Sequence, residues 1–475
     1  MEIDSNSRKP SFMYALAMLM AAIFIISVGI LVFDAPIQIL MFFSILVLVP
    51  FMMGLGFTYK QVEQSMMKSM GKALQPGLIL LTVGILIGAW IASGTVPTLI
   101  YYGIHSVTPQ FFLVTTLLFC SLVSVATGTS WGTIGTAGIA MMGVGTSLGI
   151  PVGLTAGAIV SGAYFGDKIS PLSDSTNLAP AVTGTDLFTH IKHMLWTTIP
   201  AYLITAVIFT IIGLNYNAAS VDAEGVNQLT AYLDSTFQLG MIPLIPIVIL
   251  ITLLILKKPA IPSIFIAAVV GGLIAMFYQG FSFKDTITIF YSGYTVESGV
   301  EMVDSLLQRG GLTSMLGLIA LFLFALGLGG MLAESGVLEA LIASFADKIH
   351  HTGTLVLVTV IVSYATLAIG GAAYFSIVMT GTLMKPIFER LNLKPENLSR
   401  ILEDTGTQGT ALIPWTGSGI YTAGALGVAT GAYFPFCFLA FLTPIVSLFY
   451  GITGLTMKQQ EKPKKSKKAI KPVEA

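Results

Sequence analysis

Gly166-Asp167-Lys168-Ile169-Ser170-Pro171-Leu172-Ser173-Asp174-Ser175-Thr176-Asn177 decides the reading of this chain. Apolar runs of membrane-spanning length flank it on both sides. It holds two carboxylates, one ammonium, a helix-breaking proline and a run of hydroxyl and amide side chains. A charged side chain at membrane depth costs roughly a few kcal/mol, so such residues are rare there and mark functional sites. A helix interrupted at that depth is tolerated only where it is buried in protein or lines a cavity. The stretch therefore reads as an ion or solute site inside a transporter.

The bulk composition agrees. Of 475 residues, 55% are hydrophobic and 10% are charged, against about 25% charged in soluble domains. The chain reads as an all-α polytopic membrane protein. Cys120 and Cys437 lie in apolar runs and imply no disulfide framework. The apolar run after Pro10 is too long for a signal-peptide core and reads as a retained first span.

With about 20 residues per span as the gauge, apolar runs cover 12–33, 36–56, 76–94, 108–149, 152–182, 193–214, 240–256, 262–279, 314–333, 354–391, 400–428 and 433–455. Two are too long for one helix. The first, 108–149, breaks at Ala126-Thr127-Gly128-Thr129-Ser130, and 354–391 breaks at Ile369-Gly370-Gly371-Ala372-Ala373. Each is either two full spans or a re-entrant hairpin.

The two halves resemble each other. Gly56-Phe57-Thr58-Tyr59-Lys60 matches Gly280-Phe281-Ser282-Phe283-Lys284, and Ile91–Val96 resembles Leu332–Val337. One ungapped shift then pairs Gly128 with Gly371, Gly138 with Gly381, Gly166 with Gly409, Pro171 with Pro414, Ser175 with Ser418 and Gly184 with Gly427. A constant shift through both the break and the Pro-Ser element points to an internal repeat. Arg8, Lys9, Lys60, Lys68, Lys72, Lys257 and Lys258 put their segments inside by the positive-inside rule, whereas 215–237 carries acidic residues and no Lys or Arg. That pattern needs both long runs to enter and leave on one side. Each half then has about five transmembrane helices plus a re-entrant hairpin. Five is odd, so the halves form an inverted-topology repeat with broken helices at the midplane. The expected division is a cytoplasmic N-terminus 1–11, a first repeat 12–215, an external linker 216–239, a second repeat 240–456 and a basic cytoplasmic tail 457–475.

Four polar elements meet under this repeat. Thr127, Thr129 and Ser130 stand at the first hairpin tip. Asp167, Ser173, Asp174, Ser175, Thr176 and Asn177 supply hard oxygens suited to alkali cations, with Asp167 and Asp174 as the Na+ ligands. Pro171 frees a carbonyl nearby. Thr416 and Ser418 repeat that element without its charges. Glu403, Asp404 and Thr407 form the fourth; the shift pairs Glu403 and Asp404 with Val160 and Ser161, so the halves differ in charge. A plainer reading makes Glu403 and Asp404 a solvated helix start, and pairs Asp167 with Lys168 across a structural kink. A carboxylate in a poorly hydrated cavity is neutralised by a proton or by a cation, and competition between them gives obligatory exchange. His105, His350 and His351 read as span-end residues, and His190 and His193 as part of a basic loop.

These residues resemble the NhaC-type Na+/H+ antiporters, members of the ion-transporter superfamily of inverted-repeat carriers. The similarity runs over nearly the whole chain and is most specific in Ala126–Thr133 and Gly166–Ser175. The resemblance implies Na+ (or Li+) for H+ exchange in the bacterial plasma membrane, with both termini cytoplasmic, hairpins, unwound helices, no cofactor, no nucleic-acid partner and a homodimer. Some relatives couple malate or lactate to Na+ and H+. The hydroxyl-rich tips suit a carboxylate, but no Arg at membrane depth clamps one, which favours the simple ion. An intramembrane enzyme is disfavoured: no HExxH and no GxSxG-type nucleophile element is read, and no His stands beside the Asp pair. A single asymmetric carboxylate cluster favours a carrier over a channel.

Overall fold

The computed structural model describes residues 9–106, 108–215, 223–256, 258–346 and 348–460. These residues are helical, with no strand among them and one isolated bridge between Leu393 and Gln459. Among the described residues eight helices are long and apolar enough to cross a membrane; a bent pair, Thr430–Phe436 and Phe438–Thr453, makes a ninth, its parts inclined by 51°. The chain is a multi-span membrane protein. The lysines of the tail beyond Gln460, together with Arg8, Lys257 and residues 216–222 of the expected linker, lie outside the described residues.

Glycine and proline set the breaks. The run 108–149 divides into Pro109–Thr127 and a helical segment over 130–147, with Gly128 between them at φ 71°. The run 354–391 divides into Thr352–Gly370 and Ala373–Arg390 at Gly371, φ 65°. Left-handed backbone costs other L-residues roughly 1–2 kcal/mol, so glycine stands at both corners. Val152–Ile169 and Asp174–Thr183 are separated by the turn Ser170–Ser173, which contains Pro171. The counterpart 395–426 is more broken than a single span: Pro395–Leu402, a π-helical turn Glu403–Thr407, a 3-10 stretch Gln408–Leu412, and then Gly417–Leu426 after Pro414.

Helix boundaries recur at the offset that carries Gly128 onto Gly371. Pro109–Thr127 maps onto Thr352–Gly370, and Asp174–Thr183 onto Gly417–Leu426. The helices starting at Val152 and Pro395 begin at equivalent positions. In the other matched pair, Thr58 and Ser282 are both N-caps, accepting backbone N–H bonds from Gln61 and Asp285.

Within the expected linker, Ala223–Thr236 is a helix. It buries Leu229 and Leu233, four residues apart on one face. Pro109–Thr127 and Val152–Ile169 approach each other closely. A Cβ on Gly162 would lie 2.5 Å from the Leu117 carbonyl oxygen, and one on Gly166 would lie 2.3 Å from the Val125 nitrogen. Small residues let backbones touch where lipid gives no hydrophobic drive to association. The hydroxyl of Ser124 donates to the Ala163 carbonyl across this contact.

Candidate functional site: a cavity between two broken helices

A cavity of about 1380 Å3 lies between the halves. Exposed Lys68, Lys72, Lys258 and Glu334 line one end. Both helix corners and both Pro-Ser elements supply other parts of its wall, including Thr127, Thr129, Ser130, Asp167, Ser173, Asp174, Ser175, Thr407 and Ser418.

Asp167 sits in the last turn of Val152–Ile169. Its Oδ2 accepts a hydrogen bond from Ser130 Oγ at 2.6 Å, and its Oδ1 accepts one from Ser173 Oγ at 2.5 Å. The two donors come from different breaks: Ser130 opens the segment after Gly128, and Ser173 is the N-cap of Asp174–Thr183. Each hydroxyl spends its one proton on the carboxylate and keeps its lone pairs. The arrangement offers a small cation carboxylate and hydroxyl oxygens together. Ser175 extends it, its Oγ 3.2 Å from Ser173 Oγ.

Lys168 does not pair with Asp167. Its Nζ bonds to Asp404, and both side chains are fully buried. Asp404 also accepts from Thr197 Oγ1 at 2.9 Å and from Ser447 Oγ at 2.5 Å. Glu403 and Asp404 are thus buried rather than forming a solvated helix start. Asp404 is committed to its partners. Glu403 has no hydrogen-bond partner on either carboxylate oxygen.

The remaining expected site residues divide by role. Thr176 donates to the backbone carbonyls of Asp167 and Lys168 at 3.0 and 2.8 Å. Asn177 donates to the carbonyls of Pro171 and Ser173 at 3.0 and 2.7 Å. Thr176 thus satisfies carbonyls freed where Val152–Ile169 stops, and Asn177 ties the turn to the start of Asp174–Thr183. Thr129 and Thr416 are N-caps, accepting from the N–H groups of Gly132 and Gly419. Thr127 donates to its own helix at Val123. Asp174 is exposed in the first turn of its helix, where a carboxylate complements the helix dipole. Its counterpart at the repeat offset is Gly417.

Ser418 faces the cavity and accepts from Trp131 Nε1 at 3.1 Å. Trp131 stacks on Tyr421 with ring centroids 4.4 Å apart, and Tyr421 returns a hydrogen bond to the Trp131 carbonyl at 2.8 Å. This aromatic pair, which joins the halves, was missed at the sequence level. The repeat gave no signal for it, since at the offset of the halves Trp131 falls on Tyr374 and Tyr421 on Leu178. Gly128-Thr129-Ser130-Trp131-Gly132 does spell G-x-S-x-G, contrary to the reading above. Ser130 nevertheless donates to a carboxylate rather than to a histidine. The buried histidines also depart from expectation: His190 and His193 lie inside the helix Leu187–Leu214, and His190 Nδ1 is 2.8 Å from Ser399 Oγ.

Comparison with known proteins places this geometry. The model of the Na+/H+ antiporter family matches residues 162–455, which include Asp167, Glu403 and Asp404. The chain is 44% identical over 421 residues to the malate-2H+/Na+-lactate antiporter of Bacillus subtilis, covering 89% of this chain and 90% of that protein. It is 40% identical over 404 residues to the Na+/H+ antiporter NhaC of Alkalihalophilus pseudofirmus, covering 85% and 87%. With buried charges between broken membrane helices and these matches along its length, the chain belongs to the Na+/H+ antiporter family.

Proposed function

We propose that the chain exchanges Na+ or Li+ for H+ across the bacterial plasma membrane, with Asp167 as the cation-binding carboxylate and Ser130 and Ser173 as its hydroxyl partners. One observation carries this reading. The Asp167 carboxylate lines the cavity with one hydroxyl donor on each oxygen, each from a different helix break. Breaks of this kind place freed backbone groups and polar side chains where an ion leaves water.

The recurrence of helix boundaries supports two halves of inverted topology. With both termini inside, Lys68, Lys72 and Lys258 mark the cytoplasmic mouth of the cavity. The opposite end is packed shut. Gly311 N–H donates to the Gly84 carbonyl at 2.7 Å, and Arg309 donates to the Leu426 carbonyl at 2.5 Å, in the last turn of Gly417–Leu426. The structure is thus read as an inward-facing carrier, with the halves rocking about the site to open the other side. Everted vesicles holding a ΔpH test the exchange: adding Na+ or Li+ should dequench a pH-sensitive dye. Silence with both cations, in vesicles that contain the protein, would reject it.

A second reading has its own support. The cavity is far larger than a bare cation needs, and three lysines at its mouth attract anions. An organic anion such as malate or lactate exchanged with Na+ and H+ fits those features. Dye recovery on adding malate or lactate, but not on adding Na+ alone, would select this reading.

A further inference from the structure

We propose that the basic tail of this chain docks on anionic lipid headgroups, and that a strap formed by residues 456–460 carries that docking to the second broken helix. Backbone and side chains both build the strap. Lys394 N–H donates to the Lys458 carbonyl at 2.9 Å, and Gln460 N–H donates to the Asn392 carbonyl at 2.9 Å. Asn397 is fully buried and grips Lys458 twice. Its Nδ2 donates to the Lys458 carbonyl at 2.7 Å, and its Oδ1 accepts from the Lys458 N–H at 3.0 Å. Lys458 Nζ lies 3.5 Å from the Glu396 carboxylate.

Arg400 links the strap to the site. It is fully buried in Pro395–Leu402, the helix that runs into the π-helical turn holding Asp404. Its guanidinium donates to Thr456 Oγ1 at 2.8 Å and to Met457 Sδ at 3.5 Å, and it lies 5.7 Å from the centre of the Tyr450 ring. Both of those acceptors belong to the strap. Lifting the strap strips them from a buried cation, and a buried charge that loses its partner is strongly destabilising. The strap therefore fixes the helix whose Asp404 pairs with Lys168. At the repeat offset Asn397 and Arg400 fall on Leu154 and Gly157, so these two polar anchors belong to the second half alone.

Position and charge identify the partner. The last apolar helix ends at Thr453, so the strap begins three residues beyond a membrane helix, at headgroup depth. Leu455 and Lys458 are exposed there, an apolar and a basic side chain close together. Beyond Gln460 the sequence adds Lys462, Lys464, Lys465, Lys467, Lys468 and Lys471, against Glu461 and Glu474. A lysine cluster directly after a span is drawn to anionic lipid headgroups. Docking keeps the tail near the plane in which the strap closes, which raises its effective concentration against Pro395–Leu402. A plainer reading makes the tail a solvated end that only fixes topology; lipid charge would then leave the strap unchanged. The inference rests on the proposed reading only in placing the tail on the cytoplasmic side.

Hydrogen exchange of the full-length chain in lipid nanodiscs tests this without a transport measurement, so its outcome is separate from that of the proposed exchange. Discs of phosphatidylcholine are compared with discs that also contain phosphatidylglycerol. The anionic lipid should slow amide exchange across 392–404 and 456–460 by about tenfold, and added salt should weaken the effect. Lys462→Gln, combined with the same change at the other five tail lysines, should abolish it. Lys458→Pro removes the N–H held by Asn397 and should abolish the protection of 392–404. Equal exchange in the two kinds of disc would overturn the proposal. So would a lipid effect that survives loss of the six lysines, because another surface would then bind the lipid. Protection of 392–404 that survives Lys458→Pro would overturn it too, since the strap would not be its carrier. Glycerol phosphate added to phosphatidylcholine discs should have no effect; slowed exchange there would mean that the tail takes free anions, and the membrane surface would be rejected as the partner.

Discussion

Lys168 and Asp404 form a fully buried ion pair that ties the first broken helix to the second. Thr197 and Ser447 complete the bonding of the Asp404 carboxylate. In the chain the pair adjoins two further carboxylates, Asp167 before Lys168 and Glu403 before Asp404. The pair balances its own charge in the buried interior.

Breaking this pair should cost more than removing it. A lone Lys168→Met leaves Asp404 buried and anionic, and loss of one partner of a buried pair costs about 3–5 kcal/mol. We expect a large loss of thermal stability in Lys168→Met and in Asp404→Leu, and substantial recovery in the double variant. Unfolding of detergent-solubilised protein, run as a double-mutant cycle, reads this directly. Additive losses would mean that the two groups do not act as a pair.

Asp167→Asn should abolish Na+-driven proton movement while expression stays normal. Ser130→Ala and Ser173→Ala each remove one hydrogen bond to a charged acceptor, worth about 1.5–3 kcal/mol, so each should weaken Na+ binding by roughly tenfold or more. Asp174→Asn should have a much smaller effect, because Asp174 is exposed and neither Ser130 nor Ser173 bonds to it. Na+ titration of the four proteins ranks them; Asp174→Asn as damaging as Asp167→Asn would move the site along the break.

Gly128 should tolerate substitution less well than Gly371. Both have left-handed backbone, but a Cβ on Gly128 would lie 2.6 Å from Leu172 Cβ, whereas one on Gly371 meets the flexible Leu326 Cδ2 at 3.3 Å. Gly371→Ala should pay mainly the backbone term of roughly 1–2 kcal/mol. Gly128→Ala should also displace Leu172 and with it Ser173 of the proposed cation site. Thermal stability and Na+ affinity of the two variants, compared side by side, check the order.

Topology can be read by labelling, since the native Cys120 and Cys437 are buried and give little background. Cysteines at 60–72 should react only with reagents supplied from the cytoplasmic side, and those at 226–235 only from outside. Single cysteines near 109 and near 149 should label from the same side. Labelling of those two from opposite sides would make 108–149 two full spans and remove the inverted arrangement.

Much of the scaffold was legible because it is local. Span length, the glycine corners at Gly128 and Gly371, and the stop at Pro171 follow from hydropathy and from the backbone freedom of single residues. The offset between halves was legible for the same reason: matching local patterns at a constant spacing produce matching helix ends. The helix Ala223–Thr236 escaped notice because its apolar face is short and lies between acidic residues.

The sequence by itself singled out the polar residues that interrupt its apolar runs: Asp167, Lys168, Glu403, Asp404 and the hydroxyls around them. Only the tertiary structure decided what each does. Lys168 has Asp167 beside it in the chain, yet its partner Asp404 is 236 residues away. Ser130 and Ser173 converge on one carboxylate although 37 and 6 residues from it. Glu403 ends without a partner while its neighbour Asp404 accepts from Lys168, Thr197 and Ser447. Hydrophobic pattern sets the depth of a residue, since depth depends on the apolar run around it. The pairing of charges depends on which helix faces pack together, and that is a property of the whole assembly of helices.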